Sequence, residues 1–222
     1  MFLSSSKIAL IGSLSMFLLG RVALAQSSTP LSYTGGTLPT QNFNTLASSG
    51  TGSALPEGFA FVESGSGANA TYAAGTGADN PGNTYSFGAA GSSERALGGL
   101  QSGSVIPTFG VFIRNDSGTT ITQFTVSYQG EQYRLGVARN GGTTGTADRL
   151  DFAYSTNATT LNATSGFTEV DALDFVSPIT SGTAGAVYAA TPISATVTGV
   201  SIAPGAVLVL RFSDFNVDSS DD

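Results

Sequence analysis

Apolar residues in this chain come in short runs broken by Gly, Asn, Ser, Thr and Pro, and helical spacing is almost absent. Short apolar runs between turn-forming residues are the pattern of many strands joined by turns. The pattern predicts strands over 57–62, 71–73, 84–87, 94–100 and 108–114, the last closed by the turn Asn115-Asp116-Ser117-Gly118. A further strand is expected over 119–128. In it Phe124, Val126 and Tyr128 share one face, and Thr125 and Ser127 share the other. Ile121 falls out of phase with that face, which predicts a bulge. Gln129-Gly130 reads as a turn into a strand over 131–138, and Asn140-Gly141-Gly142 as the start of a loop.

Farther on, Leu150, Phe152 and Tyr154 alternate with Asp151 and Ala153, the signature of a half-buried strand. Strands are expected over 169–176, closed by Pro178, and over 193–202. Val207-Leu208-Val209-Leu210 is apolar on both faces and therefore belongs in the middle of a core. Residues 26–56 read as a lead-in with one or two short strands near Phe43. A Gly-, Ala- and Ser-rich stretch spans 63–92 around the short strands there, a polar loop covers 156–166, and a Gly/Ala-rich loop covers 180–190. About ten or more strands joined this way favour an all-β fold, a jelly-roll-like antiparallel β-sandwich, over a small barrel.

The first 25 residues break the pattern. Lys7 precedes an apolar run from Ile8 to Leu19, and Ala23-Leu24-Ala25 places small residues at the −3 and −1 positions of a cleavage site before Gln26. That order is the mark of a secretory signal peptide. A membrane anchor would need about 20 unbroken apolar residues, and this run ends at Gly20-Arg21. Residues 1–25 are thus read as a signal peptide and 26–222 as a single domain, secreted or held at the cell surface, with no stable membrane span.

Removing Lys7 and Arg21 takes the formal charge from −7 to −9, and the six remaining basic residues are all Arg. Such an acidic surface repels phosphate backbones, so no nucleic-acid partner is expected. The chain has no Cys, His or Trp. The lack of His removes Ser–His and Cys–His nucleophile pairs, and together with the lack of Cys it removes the usual zinc ligands. The lack of Lys after processing removes Schiff-base chemistry and the P-loop lysine. About 200 residues bury enough core to dispense with disulfides.

Several segments, taken in order, resemble a family of bacterial secreted β-sandwich domains. Such domains occur in surface proteins with PEP-CTERM-type sorting tails and beside extracellular nuclease or lamin-tail-like modules. The segments are Tyr85-Ser86-Phe87-Gly88, Ser93-Glu94-Arg95-Ala96-Leu97-Gly98, Tyr128-Gln129-Gly130-Glu131-Gln132-Tyr133-Arg134, Leu150-Asp151-Phe152-Ala153-Tyr154-Ser155 and Arg211-Phe212-Ser213-Asp214. The resemblance implies a sandwich fold and a surface or matrix role, with no catalytic residues to carry over. It also implies a last strand beyond Asp222, so the domain is expected to be truncated at its C-terminus. Phe59 and Tyr133 stand where that pattern usually has Trp.

Three constellations carry candidate chemistry. Asp214, Asn216, Asp218 and Ser220 sit at alternate positions, as the oxygen ligands of calcium loops do. Ser219 occupies the turn-glycine position, so a solvated acidic loop is the competing reading. Calcium is the one cofactor the chain suggests. Glu94-Arg95 and Glu131…Arg134 read as ion pairs fixing adjacent strands. The alternative makes Glu94 and Glu131 the two carboxylates of a glycosidase. Tyr72, Tyr85, Tyr128, Tyr133, Tyr154 and Tyr188 either decorate the core or offer flat faces to sugars. Triplets at Asn69, Asn115, Asn157 and Asn162 match the glycosylation sequon, which arises readily in a Thr/Asn-rich chain.

The leading expectation is a non-enzymatic adhesion, matrix or carbohydrate-binding module whose partner is an extracellular glycan or a surface protein. An accessory domain of a larger extracellular hydrolase or nuclease is the alternative, with a carboxylate-based glycosidase behind it.

Overall fold

The structure is a computed structural model and describes residues 22–26, 29–136 and 147–215. It is an all-β sandwich. The strands are β1 (Val22–Gln26), β2 (Leu31–Tyr33), β3 (Thr51–Gly52), β4 (Phe59–Ser64), β5 (Tyr72–Gly75), β6 (Asn83–Phe87) and β7 (Ala96–Leu100). They continue as β8 (Ile106–Asn115), β9 (Ile121–Leu135), β10 (Arg149–Ser155), β11 (Thr168–Glu169), β12 (Phe175–Val176), β13 (Gly185–Ile202) and β14 (Val207–Phe215). Among the described residues no helix is long and apolar enough to cross a membrane.

One large sheet runs in the order β1-β4-β8-β14-β10-β11, with β12 on β10 and β2 parallel to β8. As its two-sided apolar pattern requires, β14 lies inside this sheet between β8 and β10, with Val209 fully buried. One face of the sheet carries Phe61, Phe109, Val111, Phe152 and Leu210. Two separate layers cover it. The long β9–β13 ribbon packs Val197, Val200 and Ile202 onto β8, β10 and β14. A smaller sheet, β3-β5-β6-β7, sets Tyr72 and Leu97 against Phe61 and Phe109. Phe212 joins the two halves, stacked on Phe109 at 5.6 Å and edge-on to Tyr128 at 5.1 Å.

The opposite face holds Ala60, Val62, Phe112 and Val209 and is closed by the loop after β10. The sequence marks this loop as polar, yet Leu161 plugs it into the sheet with no exposed surface. Arg211 holds it from below, donating to the carbonyls of Leu161 and Ala163 and lying 3.8 Å above the Phe167 ring. Truncating Leu161 to Ala should therefore cost about 2.5 kcal/mol. A denaturant melt unchanged by L161A would show that the loop is not part of the core.

Several sequence expectations need correction. Gln129-Gly130 is no turn, because β9 runs through it for 15 residues. Gly130 is required by close approach, since a Cβ there would lie 2.2 Å from the Phe175 ring. The irregularity opposite Ile121 exists, but the additional residues belong to β13. One residue of β9, Thr122, there faces three of β13, Gly199 to Ser201, and Gly199 at φ +76° absorbs the bend. Residues 185–190 are strand, paired with β9, where a loop is expected. The segment 169–176 is not one strand; β11 and β12 flank a single 3-10 turn at Asp171–Leu173. That turn stands off β10 because Phe152 spends its N–H on the Asp174 carboxylate and its C=O on the Val170 N–H. Phe43 lies in a turn at φ +58°, not in a strand, with its ring edge-on to Phe59 at 5.0 Å. Phe152 and Ala153 are both buried, so β10 is covered on both faces.

The predicted leader falls largely outside the described residues. Its last four residues, with Gln26, form β1 and pair antiparallel with β4, from Val22 opposite Ser64 to Gln26 opposite Ala60.

Candidate functional site

The small sheet is built against the usual polarity of a sandwich. On β6, Thr84 and Ser86 point inward and are fully buried. Two charged residues make this possible. Glu63 of β4 is fully buried, and its carboxylate accepts from the Thr84 N–H at 2.6 Å, the Asn69 N–H at 3.0 Å and the Asn69 side-chain amide at 3.1 Å. Arg95, 2% exposed, donates to the Ser86 hydroxyl, the Ser86 carbonyl and the Gly75 carbonyl. Glu63 and Arg95 thus take up the Thr84 N–H and the Ser86 oxygens, while the Thr84 hydroxyl is left without a partner; the aromatic side of β6 turns toward the end of the ribbon.

There the rings form a ladder that climbs from core to solvent. Tyr85 stacks on Phe87 at 5.0 Å, Phe87 on Tyr133 at 5.4 Å, and Tyr133 meets Tyr188 edge-on at 5.5 Å. Tyr85, Phe87 and Tyr133 are buried; Tyr188, on β13, is 60% exposed. β9 and β13 bring Tyr133 and Tyr188 together because Ala186 pairs with Arg134 and Ala189 with Gln132. Gly77, at φ +83°, lets the small sheet approach this end, since a Cβ there would sit 1.8 Å from the Tyr133 carbonyl.

Two carboxylates border the ladder. The Tyr133 hydroxyl lies 3.1 Å from Glu131 Oε2 and 3.3 Å from Glu94 Oε2, and the Tyr188 hydroxyl donates to Glu131 Oε1 at 3.2 Å. The two carboxylates are therefore separated by no more than the width of one phenol oxygen and its hydrogen bonds. Tyr133 has one proton and can satisfy only one of them at a time. Among the described residues no guanidinium reaches either carboxylate within ion-pair distance. The cluster is rich in acceptors and poor in donors.

The phenols respond to this field. Burial, reinforced by Glu131 and Glu94, raises the Tyr133 pKa, and burial with Glu131 raises that of Tyr188. Tyr85 is pushed up to about 12 by burial and by Asp79, and burial raises Tyr128 as well. Each shift favours the protonated phenol in the folded state. The stability it contributes is complete below the ordinary phenol pKa of about 10 and is lost as pH rises through the folded value. Unfolding free energy should accordingly fall between about pH 10 and 12, with phenolate absorbance lagging behind free tyrosine. A folded protein whose seven tyrosines have all ionised by about pH 11 would contradict this.

The other sequence-derived sites fare differently. Of the calcium candidates, Asp214 is a strand residue in β14 opposite Leu150, while Asn216, Asp218 and Ser220 lie outside the described residues. Among the described residues no cluster of three or more acidic groups could hold a metal. The expected pairing of Glu94 with Arg95 is replaced by divergence, with Arg95 inward to neutral oxygens and Glu94 outward to Tyr133. Of the six tyrosines, Tyr72, Tyr85 and Tyr133 are buried, Tyr128 and Tyr154 half-buried, and Tyr188 exposed. Among the described residues, ion pairs join Arg114 to Asp116 at 2.8 Å, Arg149 to Asp151 and, at 3.9 Å, to Asp174, and Arg211 to Glu169 at 3.5 Å.

No protein-family model matches the chain, and no curated protein or solved structure resembles it at a significant level. The class of protein rests on the fold alone: an all-β sandwich with an aromatic ladder emerging at one end of its ribbon.

Proposed function

We propose that this chain is a secreted or cell-surface, non-catalytic β-sandwich that binds carbohydrate at the Tyr188–Tyr133 end of the ribbon. The carrying observation is the shortage of donors beside an exposed ring: only the Tyr133 and Tyr188 hydroxyls donate to the four oxygens of Glu94 and Glu131 among the described hydrogen bonds. A sugar ring laid on Tyr188 presents hydroxyl donors to both carboxylates, and its C–H face packs on the aromatic plane. The chain's negative charge favours neutral or amino-bearing glycans over uronic or sulfated ones.

Binding is preferred to hydrolysis for a geometric reason. A glycosidase holds the scissile bond between its two carboxylates. Here the Tyr133 hydroxyl fills that place, within hydrogen-bond distance of both. Its raised pKa also works against its serving as a nucleophile. In gels cast with soluble polysaccharide, the protein should be retarded and Tyr188→Ala should run free, with its melting temperature within about 2 °C of the parent. Equal retardation of both proteins would remove Tyr188 from the site, and release of reducing sugar would revive the hydrolase reading.

A further inference from the structure

β1 belongs to the segment that export would remove, yet it is the outer neighbour of β4. β4 itself is not built as an edge. Ala60, Phe61, Val62 and Glu63 are each no more than 2% exposed. Natural edge strands carry charges, prolines or bulges that discourage pairing. The Phe59-Ala60-Phe61-Val62 run is instead apolar on both faces and carries none of these devices.

The backbone shows which groups cleavage would uncover. Across β4 and β8 the Phe112 N–H donates to the Gly58 carbonyl, and the register places Ala60 opposite Gly110 and Val62 opposite Thr108. Hydrogen-bonded pairs recur at every second residue of an antiparallel ladder. Ala60 and Val62 therefore turn their peptide groups to β8, while Phe61 and Glu63, opposite Ala25 and Ala23, turn theirs to β1; the Phe59 N–H is held by the Pro56 carbonyl. Processing before Gln26 removes four of the five residues of β1 and opens that row.

We infer that the β4 edge of the processed protein accepts a strand from another polypeptide, antiparallel to β4 and apolar on both faces. The seat defines the donor: one flank of it lies beside Phe59 and Phe61, the other beside Ala60 and Val62. The negative charge of the acceptor selects a neutral or basic donor. Main-chain hydrogen bonds supply the affinity and the flanking side chains the selectivity, as in other strand additions. The inference rests on the export reading, that residues 1–25 are removed, and is independent of the glycan site.

The test exports the full-length chain from a bacterial host, reads the N-terminus of the secreted product by mass spectrometry, and titrates that product with a fluorescent peptide of sequence 21–28. A product beginning at Gln26 is expected to bind the peptide saturably, with slowed exchange at the Phe61 and Glu63 amides. In the register seen, residues 23 and 25 face Glu63 and Phe61. N-methylation of the peptide at Ala23 and Ala25 should therefore weaken binding about tenfold or more. A product beginning at Gln26 overturns the inference if it binds no peptide, binds the methylated peptide equally, or protects those amides unaided. In the last case a doubled mass would assign the edge to a second copy. A product that retains residues 22–25 overturns the export reading, and the inference with it.

Discussion

Gly110→Ala is expected to abolish folding or to lower stability by about 4 kcal/mol or more. Gly110 lies in β8, between β4 and β14. A Cβ added there would sit 2.0 Å from the Leu210 carbonyl oxygen and 2.9 Å from the Leu161 side chain. The second contact could be relieved by rotating Leu161, at the expense of the loop it anchors. The first could not, because the carbonyl belongs to the adjoining strand and moves only if β8 and β14 separate. Gly103 is the control. It is exposed, with open space where its Cβ would go, and alanine there should change stability by less than about 0.5 kcal/mol. Equal melts for the two variants would mean that β8 and β14 are not packed as described.

The second large effect is expected at Glu63. Alanine there leaves three N–H donors without their carboxylate, that of Thr84 buried and the two of Asn69 part-buried. The Thr84 N–H keeps a second acceptor in the Asn83 side chain at 3.0 Å, but the Asn69 N–H has no substitute of that kind. Each orphaned donor costs about 1–3 kcal/mol, so a total loss of roughly 4 kcal/mol is expected. Glu63→Gln keeps the shape and one acceptor oxygen but turns an NH₂ toward other donors, and about 2 kcal/mol is expected for it. Urea melts of the three proteins should rank in that order. If the alanine variant were as stable as the parent, Glu63 would not tie β4 to β6.

Glu63 also shows where the sequence could be read and where it could not. The alternation of Phe124, Val126 and Tyr128, and the two-sided apolarity of 207–210, are local patterns, and β9 and β14 follow them. Glu63, by contrast, looks like the polar end of a strand until Thr84 and Asn69 arrive from other elements to surround it. Gly130 misleads in the same way. A glycine after glutamine resembles a turn, and only the Phe175 ring, 45 residues on in the chain, reveals the close approach that requires it. Residues 185–190 read as a loop because Gly and Ala carry little strand signal, and β9 imposes the strand by pairing.

The site was legible only in fragments. Tyr133 and Tyr188 were visible as aromatic candidates, and Glu94 and Glu131 as a carboxylate pair, but no spacing rule links residues on three separate elements. Their convergence depends on β6 turning its aromatic side toward Tyr133, with Glu63 and Arg95 binding the Thr84 N–H and the Ser86 oxygens on the other side. A buried Arg and a buried Glu facing a Thr-x-Ser strand was the available signal, and it acquires meaning only once the two sheets are stacked.

The most direct measurement of the carbohydrate reading is a titration followed at the tyrosines themselves. With ring-labelled tyrosine, the seven side chains give separable NMR signals, assignable by single Tyr→Phe replacements. Neutral and amino-bearing oligosaccharides would then be added in turn. One class is expected to shift the Tyr188 and Tyr133 resonances together while Tyr33, on β2, stays still. Silence at Tyr188 for every glycan tested, or shifts centred on Tyr33 instead, would contradict it.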